Sequence, residues 1–262
     1  MQIDHLTPTF GVRVDADPAQ LGGQAIGELV AEHAVVFFAP SDLDDDTQKQ
    51  LLDELGSPYV HPLAIVAGVT EATASHIVDD ADHPPYQDQW HTDVTWDPER
   101  PSIGSLRAIE MPEVGGDTVW ADVVTALETL PEPLRAEIDD LVALHDMGRG
   151  TSFASKAGQD IADACRARYP GVERPIVGRH RISGQRFLDV NAGFTNHIVG
   201  YDDDASRALL DQLFTHVADH APKVRHEWTV GEFVVWDEQL TQHSAMADHY
   251  PARREMSRYV VR

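Results

Sequence analysis

His91 and Asp93 stand two residues apart in "QWHTDVTW", residues 89–96, between Trp90 and Trp96. On a strand, residues i and i+2 share a face, so both side chains would point into one cavity. One further imidazole would complete two histidines and one carboxylate, the facial set that holds non-haem Fe(II) and leaves positions open for a cosubstrate and O2. Of the 14 histidines, His91 alone is followed two positions later by an acidic residue. With 44 acidic residues in the chain, about two such pairs are expected by chance, so the pair alone reads equally as a surface or core histidine near a carboxylate.

A second cluster supplies the missing imidazole. In "VVWDEQLTQHSAMADHYPARREMSRYVV", His243 follows an apolar run that contains Trp236, with Arg254 eleven and Arg258 fifteen positions further on. The formal net charge is -24, so Arg253, Arg254 and Arg258 form a local basic patch on an acidic chain. Arg254 and Arg258 are four apart in a β-prone segment, which keeps both on one face. A guanidinium presents a fork matched to a carboxylate or sulfonate. Two of them beside a metal would suit two anionic ligands. Arg253 reads as a surface residue, Asp117 and Asp237 as turn or supporting groups, and the late His249 as surface or structural.

The elements that must position these residues are short. Residues 34–38 ("AVVFF"), 60–69 ("VHPLAIVAGV"), 89–96 and 105–112 are expected as strands, and 114–122 as a turn and strand. Residues 42–58 read as a helix with an acidic start and a glycine stop. Residues 123–147 read as helical, broken near Pro131 and Pro133, and 206–220 as an amphipathic helix. A hairpin is expected over 179–191 around Ser183-Gly184, two strands across a turn at Gly231 over 224–245, and a final strand over 252–262. The polar segments 79–88 and 150–178 read as loops, both candidate lids. With no βαβ rhythm, no repeat and no long linker, this predicts one domain over 1–262. Its fold class is mainly β with flanking helices: a double sheet of jelly-roll type.

Composition narrows the function. The acidic surface disfavours nucleic acid and anionic lipid. No run approaches the roughly 18 apolar residues of a membrane helix, no signal peptide is visible at "MQIDHLTPTF", and the single Cys165 fits a reducing cytoplasm.

"WHTDVTW", "GGDTVWAD", "VNAGFTNHIVG" and "WDEQLTQHSAMADHYPARREMSR", in this order and spacing, resemble the taurine/α-ketoglutarate dioxygenase family (TauD/TfdA). The likeness runs over about residues 30–262 and is weakest over 150–178. It implies a double-stranded β-helix, cupin-like core and three cofactors or cosubstrates: Fe(II), 2-oxoglutarate and O2. By the same resemblance His91, Asp93 and His243 are the iron ligands. Thr118 and Arg254 hold the distal carboxylate of 2-oxoglutarate. Arg258, His61 and the backbone N–H of Val94 face the anionic group of the substrate, and Phe194 packs on its carbon chain. Taken singly, Thr118 is an ordinary strand residue, His61 a structural histidine and Phe194 a core residue.

The implied reaction hydroxylates a C–H of a small anionic substrate (a sulfonate, an alkyl sulfate or a related carboxylate), with release of succinate and CO2 and with C–S or C–O cleavage where the carbon bears a heteroatom. The family also implies a homo-oligomer, dimer or tetramer. Two departures bear on the substrate. After His61 the chain is aliphatic, "LAIVAG", where the taurine enzyme presents a tyrosine, and Gln87 and Gln89 replace asparagines. The aliphatic wall looks more like the alkylsulfatase branch. The competing readings are a hydroxylase of secondary metabolites or amino-acid-like substrates, a Zn(II)-dependent hydrolase, and a non-catalytic cupin-like binding protein. A hydrolase leaves Arg254 without a task and lacks an obvious general base.

Overall fold

The computed structural model describes residues 1–85, 89–147 and 157–262. In chain order the elements are β1 (Gln2–His5), β2 (Val12–Asp15), α1 (Pro18–Leu21), α2 (Gly23–His33), β3 (Val35–Phe38), α3 (Asp45–Asp53), α4 (Pro62–Val66), β4 (Ser75–Asp79), β5 (Ile103–Glu110), β6 (Thr118–Asp122), α5 (Val123–Glu128), α6 (Glu132–Ile138), β7 (Val142–His145), α7 (Gln159–Arg168), β8 (Val172–Pro175), β9 (Val177–Arg179), β10 (Arg186–Leu188), β11 (Thr195–Ile198), α8 (Asp203–His220), β12 (Lys223–His226), β13 (Phe233–Asp237), β14 (Thr241–Ala245) and β15 (Arg254–Val261).

The main sheet has the order β1-β2-β3-β13-β5-β15-β4 and is antiparallel except for the β2–β3 pair. The sheet β12-β6-β14 packs on it through Trp120 and Trp236, and β11-β7-β8 and the antiparallel β9–β10 pair form two further small sheets. This is the jelly-roll, cupin-like core with helices around it that the sequence predicts. Strands buried on both faces read as unbroken apolar runs rather than alternating ones, and β3 and β13 are buried at every position. Between the layers Trp120 and Trp236 meet at 5.7 Å with Phe37 beside Trp120 at 5.3 Å. These aromatics form the floor on which the site is built.

Helix ends follow their caps. Asp44 accepts from Thr47 N to start α3, Asp122 accepts from Val124 N and Thr125 N to start α5, and Asp202 accepts from Ala205 N to start α8. Each removes an unpaired donor from a first turn.

Several expectations change. Residues 60–69 are not a strand: Pro62 opens the short helix α4, the His61 side chain caps it by accepting from Leu63 N, and Gly68 at φ +93 closes it. A short apolar run does not distinguish helix from strand by pattern, and the proline at the first helical position is the deciding signal. Residues 89–96 are not a strand either. His91 forms an isolated antiparallel bridge with His243, after which residues 93–96 turn. The end of 123–147 is the strand β7, and 157–178 contains α7 and β8 rather than irregular chain. The remaining part of that lid, and part of the 79–88 loop, lie outside the described residues. Residues 224–245 hold three strands, with β12 and β13 in different sheets.

Candidate metal centre

His91 and His243 exchange both backbone hydrogen bonds, at 3.0 and 2.8 Å. This pair extends the small sheet by one residue and fixes the two imidazoles 4.3 Å apart by ring centroid. The turn that follows returns the carboxylate of Asp93 to the same point. Val94 makes that possible by adopting φ 50, a left-handed conformation that a β-branched residue rarely takes. One ligand atom each from His91, Asp93 and His243 lies within 4.8 Å of the others, and all three residues are buried. Asp93 Oδ1 is 3.5 Å from His91 Nε2 and 4.0 Å from His243 Nε2.

The donor set fits a divalent metal. His91 Nδ1 is bonded to the Gln89 carbonyl at 2.8 Å, which as the N–H donor leaves Nε2 as a bare lone pair. His91 Nε2, 3.5 Å from Asp93 Oδ1, is buried without a hydrogen-bond partner. Such an atom is costly unless something else binds it, as a metal would. Burial, and next the charge of His91, push His243 down to about 3, so it is neutral and able to ligate. Burial alone would raise Asp93, but Arg258 and the two histidines outweigh it and hold the carboxyl well below its usual range. Arg258 bonds Asp93 Oδ2, leaving Oδ1 turned toward the histidines.

The turn is braced from beneath. Thr92 Oγ1 donates to Thr241 O at 3.0 Å, and Asp93 N donates to Glu238 Oε2 at 3.1 Å. Thr95 meets His145 Nδ1 at 2.9 Å and Asn191 Nδ2 at 3.3 Å, and Arg174 donates to the Thr95 carbonyl at 2.6 Å. Behind them Arg100 grips Asp189 with two bonds, at 2.6 and 2.9 Å. Glu238 is fully buried, and burial followed by the charge of Asp93 raises its carboxyl well above the usual range.

His145 is also held neutral, by burial, down to about 4. An unfolded imidazole titrates near 6.5. Below that pH the unfolded chain binds protons that folded His145 and His243 refuse, so stability of the metal-free protein falls as pH drops from about 6.5 toward 4. Each such group adds up to about 1.4 kcal/mol per pH unit. Urea unfolding at pH 7, 6 and 5 should show the slope, and His145→Gln should remove one group's share. An unchanged slope in that variant would contradict the assignment.

On one side of the triad, β15 carries Arg254 and Arg258 on a common face. Arg254 is 3% exposed. Its Nε donates to Gly116 O at 2.9 Å and its Nη2 to Thr118 Oγ1 at 3.3 Å, while Trp228 Nε1 donates to the same hydroxyl at 3.0 Å. Asp79, its cross-strand neighbour on β4, lies 3.8 Å away. Arg254, Thr118, His91, His243 and Arg258 line one cavity together with Asp79. Arg253 instead bonds Glu110 at the surface. Asp117 pairs with Arg225, and Asp237 accepts from Gln239 N and Leu240 N. Among the described residues, none of the three belongs to the candidate ligand group.

On the other side, Phe194 stands edge-on to His91 at 6.1 Å and is buried with Val94, Trp96 and Tyr59, against which Leu63 and Val66 of α4 pack. His61 lies 6.0 Å from Trp96. Burial and Arg258 push it down to about 4. Because its Nδ1 accepts from Leu63 N at 3.2 Å, the neutral ring carries its proton on Nε2. The structure thus gathers His91, Asp93 and His243 in one group and sets Thr118, Arg254 and Arg258 in the cavity beside it, with Phe194 against His91 and Val94 next to Asp93; His61 stands further off, against Trp96. Sequence reasoning missed Asp79 and Glu238, two acids among many, neither of which has a local pattern to mark it. Of the two readings offered for His249, surface or structural, the structure has the second: it is buried, with Nδ1 bonded to Met246 O at 3.1 Å.

A two-histidine, one-carboxylate centre between the layers of a jelly roll, with a buried arginine beside it, defines a non-haem oxygenase type of site. The chain belongs to the taurine catabolism dioxygenase TauD, TfdA family, whose model matches residues 2–260, and it is an oxidoreductase of that class. It is 34% identical over 248 residues to an α-ketoglutarate-dependent sulfate ester dioxygenase of Pseudomonas putida, covering 91% of this chain and 80% of that one. It is 30% identical over 257 residues to an alkylsulfatase of Acinetobacter baylyi, covering 96% and 80%. A crystal structure of a taurine dioxygenase from Burkholderia xenovorans superposes with a TM-score of 0.76 at 26% identity, covering 99% and 90%. The family's general requirements are Fe(II), 2-oxoglutarate and O2, and its members here act on small anionic substrates.

Proposed function

We propose that this chain hydroxylates the carbon bearing the ester oxygen of a small alkyl sulfate. The observation that carries this is the division of labour around the triad. Arg254 is anchored to Thr118 in the cavity that also holds His91 and His243, while Arg258, in the same cavity, bonds Asp93 and is near enough to His61 for its charge to act there; His61 opens the helix whose Leu63 and Val66 pack on the cluster of Val94, Trp96 and Phe194. Supporting it are the two relatives that act on sulfate esters.

His91, Asp93 and His243 would hold Fe(II), which with 2-oxoglutarate and O2 supplies the chemistry that breaks the C–H bond. Arg254 and Thr118 orient the distal carboxylate of 2-oxoglutarate through the guanidinium and hydroxyl that already meet at 3.3 Å. Arg258 binds a sulfate oxygen by charge. His61 donates Nε2–H to another, and the Val94 N–H adds a third donor. Phe194, Leu63 and Val66 take the alkyl chain and keep water away. The hydroxylated carbon then expels sulfate: the C–O bond to the ester breaks, the new hydroxyl loses its proton, and an aldehyde forms beside succinate and CO2. On this reading the protein works as one domain over 1–262 and as a homo-oligomer in the cytoplasm, with no nucleic-acid or membrane partner. Among the described residues no helix is long and apolar enough to cross a membrane.

The test is a substrate panel read out as succinate and as inorganic sulfate or sulfite. Linear alkyl sulfates of medium length should give equal succinate and sulfate and the highest kcat/KM. Faster turnover of taurine, an aryloxyalkanoate or an amino acid would overturn the substrate assignment.

A further inference from the structure

Glu238 lies between β13 and β14, just before the strand that carries His243, with 0% of its surface exposed. Its main chain is fixed by a 2.9 Å bond from its N–H to Ser102 O. Its Oε2 accepts from the peptide N–H of Asp93 at 3.1 Å. The carboxyl sits in a slot that exists because residue 104 is glycine. A Cβ there would come within 2.6 Å of Glu238 Oε1 and 2.4 Å of the Trp236 ring.

The Asp93 peptide is where the turn departs from the bridge and enters the left-handed Val94, so its orientation sets where the carboxylate goes. The flanking residues have their own ties, through the His243 backbone and Thr241 O on one side and through Thr95 on the other. Glu238 holds the peptide between them.

We infer that Glu238 is a positioning residue for the metal centre. By accepting the Asp93 N–H it fixes the turn in the conformation that delivers the carboxylate to His91 and His243, and so sets metal affinity. This rests on the proposal that those three residues bind a metal. What the role requires is an acceptor at the end of a straight side chain of this length. A glutamine keeps it; a methionine, of similar length and shape, does not. Support lost one step behind a metal ligand typically weakens binding by about 10- to 100-fold.

Co(II) alone is titrated into wild-type protein, Glu238→Gln, Glu238→Met and His91→Ala by calorimetry, without 2-oxoglutarate, alongside thermal unfolding of each metal-free protein. The expected result is a Co(II) Kd raised about 10- to 100-fold in the methionine variant and within about threefold of wild type in the glutamine variant, whatever the change in Tm. If the methionine variant does not fold, Glu238→Asp, which keeps the acid but falls one methylene short of the peptide, should show the same loss. A folded methionine or aspartate variant with wild-type affinity overturns the inference, and so does a glutamine variant as weak as the methionine one. Wild-type protein that binds Co(II) no better than His91→Ala overturns the metal centre itself, and the role of Glu238 with it.

Discussion

Arg254→Ala should raise the 2-oxoglutarate concentration needed for half-maximal turnover by at least about 30-fold while leaving metal affinity nearly intact. The size follows from burial. The guanidinium is 3% exposed and spends two of its donors on Gly116 O and Thr118 Oγ1, with Asp79 behind it. It is therefore held in one orientation before any ligand arrives, and burial has already lowered its pKa. Removing one member of a desolvated, hydrogen-bonded ion pair costs about 2–5 kcal/mol, and the low end of that range is about 30-fold. Lysine should rescue little, since a point charge cannot replace a fork anchored to two neighbours. The measurement is the KM for 2-oxoglutarate by succinate release, with Co(II) affinity as the control. An unchanged KM would remove Arg254 from the cosubstrate site.

The second large effect concerns the ligands. Wild-type protein with Fe(II) and 2-oxoglutarate under argon should show a weak visible charge-transfer band, and His91→Ala and His243→Ala should each abolish both the band and turnover. Removing either imidazole leaves only one nitrogen and Asp93 of the three buried donors that lie within 4.8 Å of one another, too few to hold the metal. Arg254→Ala should still give the band at higher 2-oxoglutarate, which separates loss of the metal from loss of the cosubstrate. A band of wild-type intensity in His91→Ala would show that the centre lies elsewhere.

Much of the site is legible in the sequence because several signatures, each weak alone, occur together and in order. His91 is the only histidine with an acid two places on, and Arg254 and Arg258 are an evenly spaced pair in an acidic chain. The reason His91 and Asp93 share a cavity was less legible. Strand alternation predicts the right outcome by the wrong route, since Asp93 sits in a turn bent back by Val94. Residues 60–69 mislead similarly: a run of aliphatic residues satisfies both periods, and only Pro62 with a capping His61 selects the helix. Asp79 and Glu238 are not legible at all, because their roles depend on partners about 175 and 145 positions away, brought close only by the sheets.

The reciprocal backbone pairing of His91 with His243 makes assembly of the centre a late event. Those residues are about 150 positions apart, and closing a flexible loop of that size opposes contact by on the order of 4 kcal/mol of chain entropy. A fragment carrying only the first histidine and its aspartate, or a chain still folding on the ribosome, thus has no tight place for a redox-active cation. If the three residues hold Fe(II) as proposed, tight binding requires both halves of the polypeptide to be in place.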